Sequence, residues 1–136
     1  MKPDDIVMAC ICDYSGQVKG KVFRGVYLEG RLRSGVGLAP TNLMITAFGQ
    51  IVDSPWGPRG ELLMMPIAET ETTVDHGDDR PRERFLLSDL LELDGRPWVC
   101  CPRSWLNKGL ATLEAETGLR VKSAFEHEFH YSGSQP

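Results

Sequence analysis

Two acidic residues near the end of the chain have the side chains and spacing of a metal-binding pair. Residues 125–131 read FEHEFHY, and in a β-strand successive side chains point to opposite faces. On that pattern Glu126, Glu128 and His130 share one face, and the aromatic residues share the other with His127. Hard divalent cations such as Mg²⁺ and Mn²⁺ prefer carboxylate oxygen. The pattern predicts a cation-binding face at Glu126 and Glu128, with His130 as a further candidate.

The same seven residues have a second interpretation without metal. An amphipathic strand also places aromatic side chains inward and charged side chains in water, and composition alone favours this interpretation. Two carboxylates are in addition an incomplete coordination shell. Only the sequence context of Glu126 and Glu128 decides between the two.

The cysteines offer no alternative metal site. The four cysteines occur as the pairs 10/12 and 100/101, and neither spacing suits tetrahedral zinc. We expect all of them to be reduced. On a strand, Cys10 and Cys12 would point to the same face, where they are expected to fill a core.

Composition excludes several classes of function. The chain has 136 residues, a net charge of −4 and 41% hydrophobic residues, which is typical of one globular domain and the start of another. The acidic balance argues against nucleic acid as a partner, because binding to phosphates needs clustered Lys and Arg. No apolar run reaches the roughly 20 residues that cross a membrane. With its polar, acidic start, the chain is expected to be cytoplasmic.

The elements that must position the acidic pair can be predicted from periodicity and turn residues. Two strands, at 6–13 and 17–26, flank a turn at 13–16, and a short helix follows at 27–33. Residues 34–60 are rich in glycine and proline. A third strand is predicted at 61–67, with β-forming residues continuing to 74, and further strands at 85–93 and 119–131. A solvated charged loop is predicted at 78–84, and a helix from Pro102 to the stop at Gly118. This order predicts an α+β fold.

Four segments carry a resemblance to a known family. The stretch from 85 to 106 resembles the end of the amino-terminal β-grasp domain of glutamine synthetases and the start of their linking helix. Upstream, residues 13–16 and 19–21 are similar to the family's hairpin, and residues 60–66 to its G-D-x-x-L-x-P strand. Residues 126–129 look like its E-x-E-F segment. The matching positions in the first stretch are Asp89, Asp94, Gly95, Pro97, Pro102, Arg103 and Leu106.

The resemblance implies a fold, a domain division and an activity. It implies a β-grasp-like mixed sheet over 1–101, then a linking helix and the first strand of an incomplete catalytic domain over 102–136. The complete enzyme would use ATP and Mg²⁺ or Mn²⁺ to join glutamate to ammonia or an amine, as a homo-oligomeric ring. In such enzymes both glutamates of E-x-E-F bind metal, which points to Glu126 and Glu128. Since the other site residues follow position 136 in the family, this stretch is expected to bind no cofactor alone and to be inactive.

Several points depart from the family pattern or stay open. An aspartate in the glycine-rich loop of ammonia-using members is replaced near Thr46 and Ala47, which makes ammonia doubtful as the acceptor. Asp53 and Trp56 in that loop have no assigned role beyond an exposed turn with one packed aromatic residue. Two alternatives remain: a free-standing β-grasp module that binds a protein partner, and an unrelated small metal enzyme that uses the acidic pair with His130.

Overall fold

The computed structural model describes residues 5–57, 60–77, 80, 82–130 and 132–133. Within these ranges the chain forms a mixed sheet with two α-helices, which confirms the predicted α+β fold. None of the helices found there is long and apolar enough to cross a membrane. In chain order the elements are β1 (Ile6–Cys12), β2 (Val18–Arg24), α1 (Leu28–Ser34), β3 (Val36–Leu38), β4 (Leu62–Pro66), β5 (Thr72–Val74), β6 (Glu83–Leu91) and α2 (Pro102–Thr117).

Strand β6 organises the sheet. The strand order is β2-β1-β6-β4-β3, and β5 also pairs with β6. The first part of β6 runs parallel to β1, with Leu87 opposite Cys10. Its second part runs antiparallel to β4, with Leu90 opposite Met64. The pairing with β1 ends at Leu87. Beyond it, Leu91 of β6 forms an antiparallel bridge with Pro97, in the segment that leads into α2.

The core follows the two-residue period of the strands. In β6 the side chains of Leu86, Ser88 and Leu90 are buried, while their neighbours are partly or fully exposed. Helix α1 covers a smaller cluster through Leu28. The larger cluster contains Ala9, Ile11, Val36, Leu38, Leu62, Met64, Leu90, Trp98 and Cys101.

Helix α2 begins and ends at the predicted residues. Pro102 occupies its first turn, where the missing N–H costs nothing, and Gly118 ends it with a φ of +72°. The Gly118 amide donates to the carbonyl of Glu114 at 2.8 Å. Beyond its first turn most of the helix is exposed, including Leu106 and Leu110. The helix is therefore held to the sheet mainly at its start.

Several predictions from sequence were wrong in detail. The strand expected over 119–131 is not formed in this structure: its residues up to 130 are exposed and belong to no strand. A strand needs a neighbour for its backbone hydrogen bonds, and none of the described strands pairs with this segment. Tyr131 lies outside the described residues, as do positions 78, 79 and 81 of the predicted charged loop. The glycine-rich segment contains β3, which was missed, and Cys12 is exposed because it ends its strand, whereas Cys10 is buried.

Candidate functional site

The predicted metal ligands Glu126 and Glu128 lie on the segment that follows α2. Both are exposed, as are His127 and His130. Within the described ranges, no three His, Cys, Asp or Glu residues come close enough together to hold a metal ion. Carboxylate oxygens suit Mg²⁺ or Mn²⁺, so the pair fits one part of a coordination shell. Its metal role remains a prediction.

Asp13 closes the β1–β2 hairpin with a network of hydrogen bonds. Its Oδ1 accepts from the backbone amides of Ser15 and Gln17, each at 2.9 Å. Its Oδ2 lies 2.6 Å from Lys19 Nζ, and the Asp13 side chain is only 2% exposed. Removal from water alone would raise the pKa of Asp13, but the hydrogen bonds from Lys19, Gln17 and Ser15 outweigh this and hold the pKa below its usual range. The carboxylate therefore stays ionised and the turn is fixed.

Lys19 also joins the hairpin to the glycine-rich loop. Its Nζ donates to the backbone carbonyl of Asn42 at 2.6 Å. Further along this loop, Ile45 and Ile51 form an antiparallel bridge, and Thr46 Oγ1 accepts from the amide of Gln50 at 3.2 Å. The loop from 39 to 57 therefore has ordered structure of its own, with a short antiparallel bridge that closes a turn.

The far end of the loop rests on the core through two tryptophans. The rings of Trp56 and Trp98 meet edge to face, with centroids 5.3 Å apart and an interplanar angle of 65°. Trp98 is buried, so Trp56 anchors the loop to the larger core cluster. Asp53 is exposed and lines a shallow cavity of about 200 Å³ with Met44 and Val52. In this structure Trp56 is a packed aromatic residue.

A larger groove lies where the ends of β1 and β6 meet the first turns of α2. It has a volume of about 450 Å³, and we call it the α2 groove. Ser88 Oγ is buried in its wall and makes no hydrogen bond with the residues described here. The apolar lining consists of Ile11, Leu87, Leu90, Pro102, Leu106 and Phe125.

Cysteines also line the α2 groove, and all four in the chain are free, as predicted. Cys10 Sγ donates to the Leu86 carbonyl, and Cys101 Sγ accepts from the Leu90 amide, each at 3.3 Å. Burial, with a smaller effect of Cys12, raises the pKa of the Cys10 thiol. Cys10 and Cys101 are buried packing groups, and Cys12 is the exposed thiol of the groove.

Comparison with known proteins identifies the family of this arrangement. The family model described as glutamine synthetase N-terminal domain matches residues 1–98. The chain belongs to the glutamine synthetase family. No match was found among curated protein sequences.

Solved structures of glutamine synthetase homologues share the fold. A crystal structure of a novel glutamine synthase homolog is 32% identical, with a TM-score of 0.77 over 85% of this chain and 28% of that one. A GmaS complex with ADP is 20% identical, with a TM-score of 0.65 over 85% and 24%. The Plasmodium falciparum glutamine synthetase is 16% identical, with a TM-score of 0.63 over 84% and 20%. The chain thus spans 20% to 28% of the length of these structures.

Membership of the glutamine synthetase family and the fold are therefore confirmed. The matched residues 1–98 contain the hairpin and the strand at 60–66, but not the E-x-E-F segment at 126–129. The structure brings two of the matching positions together: Arg103 Nε lies 3.2 Å from Asp89 Oδ1. Sequence reasoning missed the α2 groove, because its walls come from distant parts of the chain. It also missed the contact of Lys19 with Asn42, since a backbone carbonyl leaves no signal in the residue type. The burial of Trp98 could have been predicted, because a large aromatic residue follows the turn at Gly95 by three positions.

Proposed function

We propose that this chain is the amino-terminal part of a glutamine synthetase-like, ATP-dependent ligase. The reaction would join the γ-carboxylate of glutamate to ammonia or an amine through γ-glutamyl phosphate. The observation that supports it is the family match over residues 1–98, together with the 32% identical homologue. Since the chain spans only 28% of that homologue, we propose that it is inactive without further residues.

Within such an enzyme, Glu126 and Glu128 would be ligands of Mg²⁺ or Mn²⁺. When bound, the cation would neutralise charge on the phosphoryl group during transfer. The residues of this chain would position the two carboxylates. Because α2 is fixed to the sheet at Pro102 and ends at Gly118, the sheet determines where the segment with the two carboxylates starts. We propose a cytoplasmic, homo-oligomeric ring as the working form.

The acceptor in this proposal is an amine as well as ammonia. Thr46 uses its hydroxyl to close the turn of the loop by accepting from Phe48 and Gln50 amides. Neither Thr46 nor Ala47 is acidic, so this turn offers no carboxylate to hold an ammonium ion. A primary amine is also protonated at neutral pH, so the missing carboxylate does not separate the two acceptors and both are tested.

The test requires the coding sequence that adjoins these 136 codons. The protein from the extended reading frame should release ADP in the presence of glutamate and either ammonia or a primary amine, whereas the 136-residue chain should not. Glu126→Gln and Glu128→Gln should each weaken the Mn²⁺ affinity by about 10- to 100-fold. Glu116→Gln, an exposed glutamate on α2, is the matched control and should leave it unchanged. Absence of glutamate-dependent ADP release with every acceptor would contradict the proposal.

A second candidate function is a free-standing module that binds a protein partner. Strand β2 is an edge of the sheet, and Val18 and Val22 on it are exposed. An apolar strand edge can pair with another chain. Size-exclusion chromatography with light scattering distinguishes the two functions. A discrete oligomer of the 136-residue chain would support the module, and a monomer or an aggregating species would support the ligase fragment.

A further inference from the structure

Phe125 stands at the rim of the α2 groove with its ring almost wholly in water. Its exposed fraction is 89%, and that of Leu106, which lines the same groove, is 61%. Large apolar side chains gain free energy when water is excluded from them. A groove of about 450 Å³ with a mainly apolar lining has room for a phenyl ring. The chain thus carries an exposed apolar side chain at the edge of an apolar cleft.

Where the Phe125 ring lies affects the direction of the two carboxylates that follow it in the sequence. The residue directly precedes Glu126. In extended backbone, neighbouring side chains point to opposite sides, so a ring turned into the groove turns Glu126 and Glu128 away from it. The two carboxylates would then face outward together. A segment with no strand partner in the described chain needs such an anchor to hold one orientation.

We propose that Phe125 is a positioning residue, which docks its ring into the α2 groove and thereby sets the direction in which Glu126 and Glu128 point. The docking is a property of this chain alone. Only its consequence for the carboxylates rests on the proposed function. Docking covers Leu106 and narrows access to Cys12, the exposed thiol that also lines the groove.

Thiol alkylation of the 136-residue chain tests the docking. Iodoacetamide labelling, followed by peptide mass spectrometry, gives the rate at Cys12, and we expect Phe125→Ala to raise it about 10-fold. Phe125→Leu should restore slow labelling, since leucine also fills an apolar cleft. Phe129→Ala is the matched control, because Phe129 is also largely exposed, at 83%, and is not among the groove's lining residues. Cys100 lies outside the groove, and an unchanged rate there shows that the fold is intact.

The outcomes separate this inference from the proposed function. Equal Cys12 rates in the wild type, Phe125→Ala and Phe129→Ala would overturn the docking, whatever the enzyme does. In the longer protein, electron paramagnetic resonance of Mn²⁺ measures the consequence, and Phe125→Ala should lower the Mn²⁺ affinity while Phe125→Leu restores it. If the Cys12 rate rises in Phe125→Ala and the Mn²⁺ affinity stays the same, the positioning role is overturned. If the wild-type enzyme binds no Mn²⁺, the assigned metal ligands of the proposed function fail, and the docking stands on the Cys12 result.

Discussion

Arg103 Nε lies 3.2 Å from Asp89 Oδ1, and this ion pair joins the first turn of α2 to the last residues of β6. Asp89 faces away from the core in β6, and Arg103 follows Pro102 at the start of the helix. The ion pair therefore lies at the point where the chain passes from the sheet into α2. Both positions are among those at which the sequence resembles glutamine synthetases, and the contact ties the start of α2 to the sheet.

The first prediction concerns the strength of this ion pair. The side chains of Arg103 and Asp89 are 36% and 34% exposed, so water screens part of the attraction. A double-mutant cycle with Arg103→Met and Asp89→Asn, measured by urea unfolding, should give a coupling free energy of about 0.5–1 kcal/mol. The exposed pair Arg120–Glu114 at the other end of α2 is the control and should couple more weakly. Equal coupling in the two cycles would show that the Asp89 contact does not fix the helix.

The second prediction concerns the acid stability of the hairpin. The folded-state pKa of Asp13 lies below its ordinary value of 3.8, so its ionised form stabilises the fold above pH 3.8 and this stabilisation is lost as the pH falls through the folded-state pKa. Asp13→Asn should lower the free energy of unfolding at pH 7 by about 3 kcal/mol. The difference from wild type should shrink below pH 3.8. Urea titrations between pH 7 and pH 2.5 measure it.

Lys19 and Lys21 provide a matched pair for the same test. Lys19→Met leaves the buried Asp13 carboxylate without its cation, whereas Lys21 lies two residues along β2 and is exposed. We expect Lys19→Met to destabilise the protein at pH 7 and Lys21→Met to change the free energy of unfolding by less than about 0.5 kcal/mol. Similar losses in both variants would mean that general surface charge, and not the Asp13 contact, is responsible.

Most of the fold could be predicted because its signals are local. The run from Ile6 to Cys12 and the turn residues after it gave the hairpin, and Pro102 and Gly118 gave both ends of α2. Strand β3 could not be predicted, because its three residues are too few for a periodic pattern and its pairing with β4 is set by the sheet. The strand expected at 119–131 had the right alternation of side chains but has no strand beside it here. Alternation describes a strand's faces and does not supply its hydrogen bonds.

The candidate site was less predictable than the fold, because its contacts join residues that are distant in sequence. The pair Glu126 and Glu128 was predicted from spacing together with the family pattern, and its metal role stays a prediction. The contact of Trp56 with Trp98 depends on how the loop packs against the core. The α2 groove depends on how α2 packs against the sheet. Such contacts are absent from any single window of sequence.

The third prediction concerns Gly20, which lies between Lys19 and Lys21 in β2. A Cβ at this position would collide with the backbone carbonyl oxygen of Ala9 in β1. Because that oxygen belongs to a paired strand, it cannot move without disturbing the sheet, and Gly20→Ala should lower the free energy of unfolding by about 1–3 kcal/mol. Gly30→Ala in α1 is the control, since nothing lies within 4 Å of its Cβ, and it should be neutral or stabilise by about 0.5–1 kcal/mol. A neutral Gly20→Ala in thermal unfolding would contradict this close approach of β1 and β2.

The last prediction concerns the loop from 39 to 57, which Trp56 anchors to Trp98. Edge-to-face aromatic pairs contribute about 0.5–1.5 kcal/mol beyond the area they bury, so Trp56→Ala should release the end of the loop while the sheet stays folded. Limited proteolysis should then cut between Thr46 and Trp56 faster than in the wild type, and the buried Trp98 should change its fluorescence maximum. Phe48→Ala is the matched control, because Phe48 lies on the same loop and is 92% exposed. If Phe48→Ala accelerates cleavage as much as Trp56→Ala does, any loss of an aromatic residue loosens the loop and the tryptophan contact is not its anchor. Cleavage at the wild-type rate in Trp56→Ala would instead assign the order of the loop to the Ile45–Ile51 bridge and the Lys19 contact with Asn42.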